Sequence, residues 1–175
     1  MSTAEPWFER PDFRLRSMLR RLAVGGVDFV VIGGVAVILQ AAPRLTKDLD
    51  ICYAPERANL ERLAAVLIEL DAKLRGIDED LPFLPDARAL SQTQILTLAT
   101  AEGGIDLLVD PAGSPGYAAL RRRARKVELE GLAVRIASIE DLIAMKRAAG
   151  RPQDLVDLES LEIARRRTRR QRLRS

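Results

Sequence analysis

The chain contains no histidine and one cysteine in 175 residues. Without histidine there is no Ser–His–Asp triad, no imidazole base and no His-containing zinc centre. The lone Cys52 permits no internal disulfide, as expected of a protein kept in a reducing compartment. Aromatic residues are scarce at 4%; Trp7 and Phe8 precede the first predicted helix and are expected to pack rather than stack on a base. No apolar run approaches the ~18 residues needed to span a bilayer. The first residues lack a basic stretch followed by an apolar one, so no secretory signal is expected. A cytoplasmic protein is the simplest expectation, with no membrane partner. Any catalysis must run on carboxylates, lysines, hydroxyls or metal, and divalent-metal phosphoryl chemistry meets that restriction.

Charge is unevenly spread. Residues 164–175 hold seven arginines and no acid, and without them the net charge of +3 becomes −4. The pI of ≈ 9.4 is therefore a property of the tail. Such a tail is expected to be disordered or to extend the last helix. With a second basic cluster at Arg121-Arg122-Arg123-Ala124-Arg125-Lys126, it either contacts nucleic acid or only solvates the surface. A hydrophobic fraction of 47% is enough to bury a core, and the length suits one domain with a helical appendage.

The most informative stretch begins at Val30-Val31-Ile32-Gly33-Gly34 and continues through Arg44-Leu45-Thr46-Lys47-Asp48-Leu49-Asp50-Ile51. An apolar strand ends in two glycines and opens a short helix, where backbone N–H groups can approach a phosphate. A second strand carries Asp48 and Asp50 one residue apart, so both carboxylates leave the same face. Carboxylates held side by side repel unless a cation lies between them. Mg²⁺ suits hard oxygen donors and is usually bound by one or two carboxylates plus substrate phosphates. The residues read as a site for a metal-bound nucleoside triphosphate.

Two glycines, a short helix and then R-x-T-K-D-L-D resembles the nucleotidyltransferase superfamily that includes DNA polymerase beta. Within it the wording is most similar to the AbiEii-type bacterial nucleotidyltransferases, among them toxins of toxin–antitoxin pairs. The resemblance covers about residues 24–160. It implies an α/β (α+β) fold: a mixed sheet with helices on one face, the active site on the other, and C-terminal helices. Strand alternation agrees, since Leu49, Ile51 and Tyr53 oppose Asp48, Asp50 and Cys52, while Ile105, Leu107 and Val109 oppose Asp106. Two-metal transfer needs ions about 3.5–4 Å apart clamping the attacking and leaving oxygens. Asp106 resembles the family's third aspartate, which would complete a metal set of Asp48, Asp50 and Asp106 holding two Mg²⁺ ions. In the late segment Ile139–Leu158, Lys146 matches the family lysine that meets the triphosphate, and Asp154 the late aspartate. On its own, Lys146 would be an ordinary solvated helix lysine and Asp154 a helix-start acid. Gly33, Gly34, Arg44, Thr46, Lys47 and Asp154 are the expected nucleotide contacts. Family members often carry serine at the second glycine position, so at Gly34 backbone N–H groups must serve in place of a hydroxyl.

Hydrophobic periodicity and turn residues predict helices over 12–23, 35–40, 55–74 and 117–125, a capped helix from Ser138 and another from Pro152. Strands are predicted over 27–32, 48–53, 94–100 and 104–109, with a hairpin of 126–129 and 132–137. Residues 76–92 read as a loop. The expected organisation is an N-terminal helix (1–23), a nucleotidyltransferase core (24–137), C-terminal helices (138–164) and the arginine tail (165–175). The resemblance implies an Mg²⁺-dependent enzyme moving a nucleoside monophosphate, AMP from ATP among the options, to a hydroxyl. RNA, with the tRNA 3′ end first, is the preferred acceptor, and a cognate antitoxin the expected protein partner. Two other readings stay open: transfer to a small molecule such as an antibiotic, and a nucleotide-binding module without catalysis.

Overall fold

The computed structural model describes residues 9–10, 13–76, 83–129 and 131–174. Chain order begins with two short paired strands, β1 (Glu9–Arg10) and β2 (Phe13–Arg14). Helix α1 (Leu15–Val24) follows and buries Leu15, Met18, Leu19 and Leu22, the stripe expected of helical spacing. Strand β3 (Phe29–Ile32) is buried at all four positions and runs directly into α2 (Gly33–Gln40). Strand β4 (Asp48–Tyr53) returns antiparallel to β3, pairing Ile32 with Asp50. Helix α3 (Arg57–Glu69), strand β5 (Lys73–Leu74), helix α4 (Ala87–Gln92) and strands β6 (Ile95–Thr100) and β7 (Gly103–Leu108) come next. The chain closes with α5 (Tyr117–Arg123), the hairpin β8 (Arg125–Leu129) and β9 (Leu132–Ile136), α6 (Ile139–Ala149) and α7 (Pro152–Arg172).

Seven strands form one mixed sheet in the order β5-β6-β7-β4-β3-β9-β8. The β4/β7 and β3/β9 pairs are parallel, and the rest antiparallel. Leu49, Ile51 and Tyr53 are buried, and the Tyr53 hydroxyl donates to the Leu90 carbonyl at 3.1 Å. Helix α4 therefore lies on the face opposite the aspartates, with α3 beside it and α1 against α3. On the other side α2, α6 and α7 pack together next to the carboxylates. Among the described residues no helix is long and apolar enough to cross a membrane.

Several boundaries differ from expectation for local reasons. The helix expected to reach Leu74 ends at Glu69, because Asp71 takes a left-handed backbone (φ 50°) and releases Lys73–Leu74 to pair with β6. Part of the expected 76–92 loop is helix α4, whose start is capped by the Asp86 carboxylate accepting from the Ala89 N–H at 2.7 Å; residues 77–82 of that stretch lie outside the described residues. The first helix begins at Leu15, because Phe13–Arg14 are drawn into a strand pair. The helix over 117–125 stops at Arg123, and Arg125 enters β8. The arginine tail continues α7 as helix to Arg172.

Candidate active site

The two central strands bring the carboxylates together. Asp50 and Asp106 are register partners across the parallel β4/β7 pair, and Asp48 lies two residues along, opposite Gly104. Thr97 on β6 is the partner of Asp106 on its other side. The three aspartates line one cleft of ≈ 330 Å³ with Gly33, Gly34, Arg44, Thr46, Lys47 and Lys146. Every residue expected at the site from sequence is thus present in this cleft except Asp154. Arg151 joins them.

The two glycines have separate reasons. Gly33 has φ 62°, and the space a Cβ would take is filled by the Asp50 carboxylate. At Gly34 an added Cβ would stand 2.8 Å from the Thr46 hydroxyl and 3.0 Å from an Arg44 guanidinium nitrogen. Asp50 thereby reaches the start of α2 and takes a hydrogen bond from the Gly34 N–H. Burial, helped by the neighbouring negative charges of Asp106 and Asp48, lifts its pKa to about 7 despite nearby Lys146. Burial also raises the Asp106 pKa, with Asp48 adding to it and Arg75 opposing.

Arg75, which sequence reasoning passed over, sits between two of the aspartates. Its guanidinium lies 3.2 Å from the Asp48 carboxylate and 3.4 Å from that of Asp106, and donates to the Leu98 carbonyl at 3.0 Å. Gly104 makes room, since a Cβ there would collide with both Asp48 and Arg75. Arg75 follows a two-residue edge strand, so no local pattern marks it. Arg151 is a second residue absent from the expected site, although it stands first in the R-x-x-D-x-x-D-L wording of Arg151, Asp154, Asp157 and Leu158 that follows the Lys146 helix.

Lys146 is buried, and its ammonium is 2.8 Å from both Asp154 and Asp157. Asp154 is also bonded by Arg151, through its backbone N–H at 3.0 Å and its Nε at 2.9 Å. Burial works to raise the Asp154 pKa, but the hydrogen bonds from Arg151 and Lys146 outweigh it and hold it at about 2. Asp157 is paired with Arg44 at 2.9 Å. Arg44, Lys146 and Arg151 therefore form a cationic wall, backed from behind by Asp154 and Asp157. Lys47 is exposed at the rim. Cys52 is buried, its thiol pushed up to about 12 by burial, and plays the part of a small apolar residue.

No group of three or more His, Cys, Asp or Glu side chains among the described residues is arranged to hold a metal ion. The donor set nevertheless fits one. Mg²⁺ takes only one or two protein carboxylates beside substrate phosphates, and a cation already stands between Asp48 and Asp106 in the form of Arg75. Asp48, Asp50 and Asp106 are the residues that would hold it.

A GG-helix and strand-borne aspartates on a mixed sheet define the nucleotidyltransferase fold. Solved structures of that fold resemble the chain. The lincomycin-bound lincosamide antibiotic adenylyltransferase LnuA gives a TM-score of 0.57 at 14% identity, over 87% of this chain and 98% of that one. The antibiotic-resistance factor ANT(2″)-Ia in solution gives 0.53 at 17%, over 91% of each. No curated protein matches in sequence. The model of the family described as "Nucleotidyltransferase of unknown function (DUF6036)" matches residues 14–168, and the chain belongs to that family. The protein is a nucleotidyltransferase, as the glycine–aspartate wording implied; the match does not extend to the AbiEii subgroup.

Proposed function

We propose that the protein transfers a nucleoside monophosphate from a Mg²⁺-bound nucleoside triphosphate to a hydroxyl of RNA, with the 3′ end of tRNA the favoured acceptor. The observation that carries the transfer chemistry is the register of Asp50 with Asp106, beside Asp48 and the glycine-opened helix. Divalent metal, when bound, supplies charge neutralisation for the triphosphate and for the attacking oxygen. Asp106 accepts the proton of the acceptor hydroxyl, a role its raised pKa supports. The acceptor oxygen bonds to the α-phosphorus, the bond to the β-phosphate oxygen breaks, and pyrophosphate leaves. Arg44, Lys146 and Arg151 face the phosphates and balance the charge that develops on them. Their positions are fixed in advance by Asp154 and Asp157. Asp154 acts on the nucleotide only through these partners.

The RNA acceptor is supported by the arginine-rich end of α7 and by the resemblance to toxins that modify tRNA. On this reading the protein is a toxin, and an antitoxin is its partner. A second reading, transfer to a small-molecule antibiotic, is favoured by one observation. A second cleft of ≈ 260 Å³ adjoins Asp50 and Lys146 and is walled by Ile32, Leu108, Leu142 and Met145. Such walls suit an apolar body, either a nucleobase or an antibiotic. The test is incubation with each labelled NTP, Mg²⁺ and either total RNA or a panel of aminoglycosides and lincosamides, read by gel and mass spectrometry. Label in RNA supports the first reading, label only in antibiotic the second, and label in neither refutes both acceptors.

A further inference from the structure

A larger cleft of ≈ 870 Å³ lies away from the carboxylates, at the opposite ends of α2 and α6. Five arginines from three elements line it: Arg123 of α5, Arg125 of β8, and Arg165, Arg169 and Arg172 of α7. The three on α7 are spaced at i, i+4 and i+7, so they share one helix face over about 10 Å. Glu140 is the one acid in the lining. Two of these charges are locally balanced, Arg123 by Asp141 at 2.8 Å and Arg165 by Glu162, whereas Arg125 donates to the neutral Gln40 side chain at 3.4 Å. Arg169 and Arg172 are exposed on the cleft wall.

Core packing does not account for this arrangement. Leu161 is the last buried residue of α7, yet the helix runs on to Arg172. Like charges gathered across a groove repel one another, so the cleft is best matched by an anion with repeated charges. Arginine rather than lysine lines it throughout, and the guanidinium fork matches phosphate oxygens two at a time. The lining has no aromatic residue, which removes base stacking. Ile139 is its only large apolar residue, so it lacks the apolar centre of a protein-binding patch.

We infer that this cleft seats the phosphate backbone of a base-paired RNA stem whose free end enters the carboxylate site. Placing the stem's end there rests on the RNA-acceptor reading; binding in the cleft does not. Helix α7 connects the two places, since Asp157 backs the catalytic wall and Arg165 to Arg172 follow eight to fifteen residues later. At 1.5 Å rise per residue that is about 12–22 Å. The cleft therefore meets the backbone about 12–22 Å from the acceptor end. Contact is to phosphates alone, so binding is blind to sequence and steep in salt.

The experiment measures binding of a fluorescent RNA hairpin with a free 3′ end, across a salt series, to the full-length protein. One variant carries Arg125→Gln, Arg169→Gln and Arg172→Gln. A second removes the same charge from α7 outside the cleft, through Arg166→Gln, Arg167→Gln and Arg170→Gln. The cleft variant should lose at least about tenfold in affinity and flatten the log–log salt slope by about 2–3. The control variant should lose less than about threefold. Replacing the three cleft arginines by lysine, which tests for a folding defect, should restore most of the slope. Equal losses in both glutamine variants, no loss in either, or tighter binding of a DNA hairpin of the same sequence would overturn the assignment. Mg²⁺–NTP binding, read by calorimetry, should be unchanged in both. RNA that binds in the cleft but is never labelled would leave this inference standing and refute the acceptor reading.

Discussion

Replacing Lys146 with alanine removes the cation shared by two buried carboxylates. The ammonium lies 2.8 Å from Asp154 and from Asp157, each only 1% exposed at the side chain. Removing one partner of a buried ion pair costs about 3–5 kcal/mol, because the other charge is left uncompensated. Here each carboxylate keeps a second partner, Arg151 for Asp154 and Arg44 for Asp157, so the loss should fall near about 3 kcal/mol. For a chain of this size each kcal/mol moves Tm by about 2–4 °C, so the variant should melt about 6–12 °C lower. Scanning calorimetry without nucleotide reads this directly. A pH series adds a check on the cause. Asp154 is held at about 2, below its ordinary 3.8, so the stability it contributes is present above about pH 4 and lost as pH falls through 2. The gap between wild type and variant should therefore narrow from pH 5 to pH 2, as the protonated carboxyl no longer needs the ammonium. Transfer rates taken well below both melting points separate the contribution to phosphate charge, where a loss of orders of magnitude is expected. A Tm within 2 °C of wild type would refute the structural part of this reasoning. A normal rate would refute the catalytic part.

Asp50→Ala should abolish transfer yet leave the metal-free protein as stable or more so. Because the Asp50 pKa is raised from 3.8 to about 7, the stability tied to its proton is full below about pH 4 and lost as pH rises through 7; wild-type Tm should fall between pH 5 and pH 8, and a variant that keeps the same slope would exclude Asp50 as its source. Mg²⁺ and NTP together should raise Tm more than the sum of each alone, since carboxylates and phosphates complete one another's coordination; calorimetry showing equal NTP affinity in EDTA would refute the metal-bridged site. Arg75→Ala should strengthen Mn²⁺ binding severalfold by freeing Asp48 and Asp106 from the guanidinium, an effect seen by electron paramagnetic resonance titration; unchanged or weaker Mn²⁺ binding would show that Arg75 does not compete with the ion.

The reading from sequence reached farthest where chemistry is local. Only helix α2 and one loop separate Gly33 and Gly34 from Asp48 and Asp50, and alternation along the strand is enough to aim the carboxylates. Asp106 was visible because its apolar neighbours forced it onto the open face of a strand. Lys146 and Asp154 were visible as motif positions, but their mutual contact was not, because it depends on how α6 and α7 cross. Arg75 left no trace, since its place is set by an edge strand four residues beyond α3 and by a glycine on another strand. The early end of α3 was missed because one residue, Asp71, takes a conformation open to many side chains only at some cost. Composition alone does not decide between order and disorder for the arginine tail, which is helical to Arg172. Arginine is a good helix former, and whether it folds here depends on the helix that precedes it.

The tight fit between Gly33 and Asp50 constrains how this protein can drift. The glycine's missing side chain is the space the carboxylate occupies, so position 33 cannot take a side chain while Asp50 stays as it is. An alanine at 33 is opposed twice, by the backbone at φ 62° and by the aspartate. A descendant that abandoned nucleotide transfer would have to shrink residue 50 first, and only then would a side chain at 33 become tolerable. The order of those two losses makes the pair a one-way ratchet: a lineage that has filled the space at 33 cannot regain the aspartate by a single change.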